Sequence, residues 1–148
     1  MAVLSSETLH CSTVAIGGRA VMIEGRSGSG KSDLALRLID RGAKLVSDDY
    51  TIARRKGPLL LASPPPAIAG KIEVRSLGLI EMEHVADQPV ALIVQLFEVV
   101  DRMPPDPERR VVAGISVPVI KIAPMENSAP IKVELAMKSF GLDVGADG

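Results

Sequence analysis

The chain has 148 residues, 47% of them hydrophobic and 24% charged, with a formal net charge of −1. That length suits one domain, residues 1–148, with a sizeable core, and the near-neutral charge argues against a nucleic-acid partner. With no tryptophan, one tyrosine (Tyr50) and two phenylalanines (Phe97 and Phe140), the chain lacks the aromatic platforms of a nucleic-acid binder.

A single cysteine, Cys11, excludes an internal disulfide and fits a reducing, cytoplasmic setting. Cys11 is not taken as a nucleophile. Glu7 and His10 interrupt the N-terminus before any signal-peptide core develops. The longest apolar stretch, near Val90–Leu96, is too short to span a bilayer, so no membrane association is expected.

In chain order, Thr13–Ile16 and Ala20–Ile23 flank Gly17-Gly18 and predict a tight hairpin. The second strand runs into Gly25-Arg26-Ser27-Gly28-Ser29-Gly30-Lys31-Ser32, which fits G-x-x-x-x-G-K-[ST] at every fixed position. Lys31–Arg41 then predicts a helix, with Leu34, Ala35, Leu38 and Ile39 as an apolar stripe and Gly42 as its stop. Strand, glycine-rich loop and helix occur in the order a phosphate cradle needs. Glycines let the backbone approach the ligand, successive N–H groups converge on phosphate oxygens, and the helix N-terminus adds partial positive charge. Lys31 brings a full charge to the outer phosphates, and Ser32 can place its hydroxyl on Mg²⁺.

Lys44–Val46 predicts a short strand ending in Ser47-Asp48-Asp49. A carboxylate at the C-terminal end of a strand beside a P-loop holds Mg²⁺ in this class of site. Adjacent strand residues point to opposite faces, so the strand must end there if both aspartates contribute. Thr51–Arg55 and Leu59–Ala62 predict a second hairpin, and Pro64-Pro65-Pro66 a stiff irregular segment. Ile72–Ile80 carries Glu73 and Arg75, which alternate with apolar residues and read equally as a solvent face or as site residues. Val90–Val100 is the strongest buried strand. Asp101–Arg110, with three prolines and six charges, predicts a mobile surface loop, in which Arg102 is a candidate lid cation. Val117–Ile122 is a further strand. Pro130 opens a last helix with Val133, Ala136, Met137 and Phe140 on one face. His84 is read as surface, and Val144–Gly148 as a frayed tail beyond an ordered core of about residues 10–140.

Taken together, Gly25–Asp33 (GRSGSGKSD), Arg41-Gly42, Leu45–Asp49 (LVSDD), Pro65-Pro66, Glu73–Ile80 (EVRSLGLI), Asp101-Arg102, Val117-Pro118 and Asn127–Met137 resemble the catalytic, C-terminal domain of HPr kinase/phosphorylase. The likeness covers roughly His10 to Phe140, in a short form without the N-terminal domain of longer members. It implies an α/β fold of the phosphoenolpyruvate carboxykinase-like P-loop type, a mixed sheet with flanking helices. The activity it implies is ATP- and Mg²⁺-dependent phosphorylation of a serine on HPr, the phosphocarrier of the sugar phosphotransferase system. Phosphorolysis of phosphoserine-HPr, with phosphate consumed and pyrophosphate formed, goes with it in many members, as does a homo-oligomer, a hexamer.

Roles follow from the resemblance by position. The loop Gly25–Ser32 would bind the nucleotide phosphates. Asp48 would accept the serine proton, Asp49 and Glu73 would join Ser32 at the metal, Arg102 would sit on the transferring phosphoryl group, and His10 matches an active-site histidine. The chain departs from the family pattern at Arg26, where an acid is usual, at Asp33, at Ser76, and at Met125-Glu126-Asn127. Those departures bear on phosphorylase activity, regulation and assembly more than on kinase chemistry. A cation at Arg26 is expected to strengthen phosphate retention. Two other classes stay open on the residues alone: a small-molecule P-loop kinase, with Arg109-Arg110 as lid arginines, and a nucleotide-sensing module without catalysis.

Overall fold

The structure, a computed structural model, describes residues 5–144. Its centre is one curled, mixed sheet. Strand β1 (Ser6–Leu9) pairs with β5 (Thr51–Lys56), β5 with β6 (Leu59–Ser63), and β6 with the start of β9 (Gln88–Leu96). From β9 the sheet continues through β3 (Arg19–Glu24) and β2 (Cys11–Ile16) to β4 (Lys44–Ser47). Strand β11 (Ile115–Ile122) also lies on β9, and β10 (Glu108–Val112) on β11. A separate hairpin joins β7 (Lys71–Val74) to β8 (Gly78–Glu81). The helices are α1 (Lys31–Asp40) and α2 (Ala129–Phe140).

The strand directions determine where a ligand can sit. Strands β3, β9 and β11 are mutually parallel. Strand β2 is antiparallel to both β3 and β4, so β4 runs with β3 and β2 begins where they end. The C-terminal ends of four strands and the start of β2 therefore meet at one end of the sheet, where open α/β sheets bind ligands.

Both faces of the sheet are covered, so its inner strands are apolar throughout. Val21, Ile23, Leu92, Val94 and Leu96 pack beneath the helices with Leu34, Leu38, Val133 and Met137. Ala20, Met22 and Ile93 face the other way, into a second cluster with Ala53, Leu60, Ala62, Val112 and Val117, where the sheet curls over itself. Two irregularities modify the alternation. The pairing of Ala20 with Val90 and Val21 with Leu92 leaves Ala91 as an extra residue, so Ala91 and Leu92 both join the helix side. Val46 is likewise extra against Thr13 and Val14, which bends β4 just before Asp48.

The predicted elements recur with shifted edges. Gly17 and Gly18, with φ of 58° and 84°, form the expected two-residue turn between β2 and β3. Helix α1 begins after Gly30 (φ 102°), a conformation that favours glycine, and is followed by Gly42 (φ 113°). Strand β9 ends at Leu96 rather than Val100. The surface loop ends earlier than expected, because Glu108–Val112 pairs with Ile115–Val119 to form β10. Phe140 is 48% exposed, off the core face of α2 formed by Val133, Ala136 and Met137. Strand β1 is not signalled by the sequence pattern: its alternate residues are at best half-buried and it rests on the edge of β5. Of the tail expected to fray, residues 145–148 lie outside the described residues, whereas Val144 packs against the helix-side core. Among the described residues, no helix is long and apolar enough to cross a membrane.

Candidate active site

Asp48 is the hub of the ligand-binding end. It follows β4 directly, is only 6% exposed, and accepts three hydrogen bonds. Ser12 Oγ and Ser32 Oγ both donate to Oδ1 at 2.7 Å, and the Glu73 backbone N–H donates to Oδ2 at 2.9 Å. One carboxylate thus ties together β2, the first turn of α1 and the β7–β8 hairpin. Hydrogen bonds to an ionised acceptor are worth about 1.5–3 kcal/mol each.

The Gly25–Ser32 loop stands between β3 and α1, as the motif requires. Lys31 is buried, and its Nζ donates to the carbonyls of Gly25 at 2.8 Å and Arg26 at 3.1 Å, which closes the loop on itself. Ser29 Oγ is buried with no hydrogen-bond partner among the described residues, and a bound acceptor would satisfy it. Gly25 leaves no room for a Cβ beside Ser29 and Leu96. Gly28 has φ 79°. Arg26 and Ser27 are exposed, and the Arg26 side chain makes no hydrogen bond or ion pair among the described residues.

Asp49 turns away from Asp48. With φ 69° it leaves the strand, as two adjacent site carboxylates must. Its Oδ1 lies 2.9 Å from His10 Nε2, and its backbone N–H donates to Ser12 Oγ at 3.3 Å. The His10 ring stacks on Tyr50 with centroids 5.0 Å apart. The histidine at the start of β2 therefore reaches the site, braced by an aromatic residue that the sequence reading did not single out. Ser12 was also missed. The only signal for it was a hydroxyl in the strand beside the P-loop strand, which is not distinctive.

Glu73 contributes its backbone, while its carboxylate is exposed and without a partner among the described residues. Among those residues, no group of three or more His, Cys, Asp or Glu side chains is arranged to hold a metal ion. The donors that do converge, Ser32 Oγ and the Asp48 carboxylate, are hard oxygen ligands that suit Mg²⁺ shared with phosphate oxygens. Asp48 accepts the Ser32 proton and so leaves the serine lone pairs free for a cation. Arg102 is exposed in the 97–107 loop and has no partner among the described residues, so it is not brought to the hub.

Arg109 and Arg110 are not free lid residues. Arg109 bonds Ser116 Oγ at 2.8 Å, and Arg110 pairs with Glu24 Oε2 at 2.5 Å. The hydrogen bond to Glu24 raises the Arg110 pKa. Gln95 donates to the other Glu24 oxygen at 3.2 Å. This network fixes the end of β3 just before the loop, which is a structural duty. Burial pushes the Cys11 thiol up, so it is protonated and inert, as its buried position at the start of β2 dictates.

A cleft of about 1140 Å³ opens over the loop. Glu24 to Ser29 form its floor, Gln95 to Glu98 one wall and Ala123 to Glu126 the other. The ends of the parallel strands β3, β9 and β11 thus frame it.

The family model described as the HPr Serine kinase C-terminal domain matches residues 2–143. HPr kinase/phosphorylase of Chloroherpeton thalassium is 32% identical over 157 residues, covering 93% of this chain and 46% of the relative. That of Ralstonia nicotianae is 36% identical over 127 residues, covering 78% of this chain and 39% of the relative. The chain spans less than half the length of these curated relatives. The solved HPr(Ser) kinase/phosphatase of Coxiella burnetii superposes with a TM-score of 0.78 at 28% identity, covering 89% of this chain and 94% of that one. With its α/β architecture, its glycine-rich loop between β3 and α1 and a family match along nearly its whole length, the chain belongs to the HPr serine kinase C-terminal domain family.

Proposed function

We propose that this chain is an ATP-dependent protein-serine kinase acting on HPr. The observation that carries the reading is the hydrogen bond from Ser32 to Asp48, which joins the phosphate loop to a buried carboxylate at 2.7 Å. That carboxylate stands where phosphoryl transfer needs a group beside the γ-phosphate to orient and deprotonate the acceptor. In this proposal residues 1–148 form one domain of the phosphoenolpyruvate carboxykinase-like P-loop type, working in the cytoplasm as a homo-oligomer.

The backbone of residues 25–30, Lys31 and the first turn of α1 hold the β- and γ-phosphates. Lys31 exchanges two carbonyl partners for phosphate oxygens, which are stronger acceptors. Ser32, with Asp48 beside it, is proposed to hold Mg²⁺, and Asp49 and Glu73 are the further carboxylates proposed for the ion, which would neutralise phosphate charge. Asp48 orients the acceptor serine and takes its proton as the oxygen bonds to the γ-phosphorus and the bond to ADP breaks. The reverse use returns that proton to serine as inorganic phosphate takes the phosphoryl group and forms pyrophosphate. Arg102 reaches the transferring group when the 97–107 loop closes, and His10 holds Asp49. Positioning and electrostatics supply most of the rate in such transfers.

The test is incubation of purified HPr with labelled ATP and Mg²⁺. Wild-type protein is expected to label HPr on serine, and Lys31→Ala to fail. Asp48→Asn is expected to keep nucleotide binding and lose transfer. Wild-type transfer by Asp48→Asn would show that another group takes the proton, and transfer to a metabolite but not to HPr would replace the substrate.

A further inference from the structure

We propose that Phe97 is the platform on which the base of the bound nucleotide stacks, so that the cleft reads the nucleoside as well as the phosphates. The inference rests on the nucleotide reading above and adds a binding residue to it.

Four observations lead there. Phe97 is the only aromatic residue among those lining the cleft, and it is 45% exposed although its backbone is fixed by an N–H bond to Ile122 O at 3.1 Å. One face of the ring is already covered: Lys121 Nζ lies 5.4 Å from its centroid, and Lys121 is not part of the cleft lining. The free side of the ring is therefore the side turned to the cleft. A cation on the far face adds to the hold on a stacked base. Second, Phe97 shares the cleft with the loop and its chain neighbour abuts it. Phe97 follows Leu96, whose Cβ would lie 3.2 Å from a Cβ placed on Gly25, while Pro124 on the opposite wall is 3.6 Å from the same position on Gly30. The two walls thus flank the two ends of the phosphate loop.

Third, charge assigns the ends of the ligand. Backbone N–H groups and Lys31 make the floor attractive to phosphate. The one acid of the floor, Glu24, is neutralised by Arg110; the walls carry Glu98 and Glu126, of which Glu126 is neutralised by Lys132 at 2.8 Å. Glu98 remains unpaired among the described residues and would repel a phosphate chain. The uncharged base belongs by that wall, stacked on Phe97, with Pro124 and the 85% exposed Met125 facing it from the opposite wall. Fourth, a volume of about 1140 Å³ exceeds what a triphosphate needs and leaves room for a nucleoside.

The experiment compares Mg-ATP with Mg-tripolyphosphate by calorimetry on wild type, Phe97→Ala and Phe97→Tyr. Phe97→Ala is expected to weaken ATP about 10-fold, within the range of base–aromatic stacking, and to leave tripolyphosphate within twofold. Phe97→Tyr keeps a ring and should bind ATP as wild type does. Unchanged ATP affinity in Phe97→Ala, or equal weakening of both probes, overturns the stacking. Wild-type protein that binds tripolyphosphate as tightly as ATP overturns it too, without touching the phosphate site. If wild type binds neither probe, the nucleotide reading itself has failed.

Discussion

The two sides of the site are built in opposite ways. Around Asp48 the polar groups are buried and satisfied by one another: three donors from three elements meet one carboxylate. Across the cleft, the 97–107 loop is exposed, with Val99 and Met103 at 88% and 87% and Arg102 without a partner among the described residues. A preorganised electrostatic site gains from the first construction, since nothing has to reorganise when charge shifts. A group that must admit a protein substrate and then close over it gains from the second. The difference separates the residues that cost stability when changed from those that cost only rate.

The largest stability effect is expected at the hub. Asp48→Ala leaves the buried Ser12 Oγ and the part-buried Glu73 N–H without an acceptor, whereas Ser32 can turn to solvent. At about 1–3 kcal/mol per orphaned donor, the loss is roughly 3 kcal/mol, read as a lower urea midpoint at unchanged slope. A variant more stable than wild type would mean that the buried charge is held at a net cost, and the contrast between the two sides would dissolve.

Ser12→Ala tests the same hub more gently. Asp48 keeps the Ser32 and Glu73 donors, so one hydrogen bond to a charged acceptor is lost together with the longer one from the Asp49 N–H, about 1.5 kcal/mol by denaturation. A change below about 0.3 kcal/mol would show that Ser12 is decoration, and the hub would shrink to Ser32 and Glu73.

How far the sequence revealed this division depends on the kind of signal. The loop at Gly25–Ser32, the following helix and the hairpin before it were legible because glycines and the Lys-Ser pair have few other uses at that spacing. Asp48 was legible from its place at a strand end. The hub was not, because Ser12 and the backbone N–H of Glu73 come from elements 36 and 25 residues away from Asp48 in sequence, and hydroxyls in strands are ordinary. Strand β10 was hidden inside a charged, proline-rich run, since β10 needs only β11 as partner and presents Arg109 and Val111 to solvent. The bulge at Val46, which re-aims the chain ahead of Asp48, has no local sequence mark at all.

The smallest stability effect is expected where the effect on rate is large. Arg102 makes no hydrogen bond or ion pair among the described residues, so Arg102→Ala should change unfolding free energy by less than about 0.5 kcal/mol. ATP affinity should hold as well, because the phosphate floor is built without that loop. The turnover number on HPr should nevertheless fall by roughly 10³-fold, the scale of a cation that meets the phosphoryl group only in the transition state. Stopped-flow transfer and a urea titration on the same preparation check both halves. Lost stability would place Arg102 in a contact of the resting fold. Unchanged turnover would make the loop a surface feature, and the lid would have to be sought elsewhere around the cleft. Intact folding with lost transfer is the one combination that makes the exposed side a moving part of the site, completed by the substrate, opposite a hub that is complete without it.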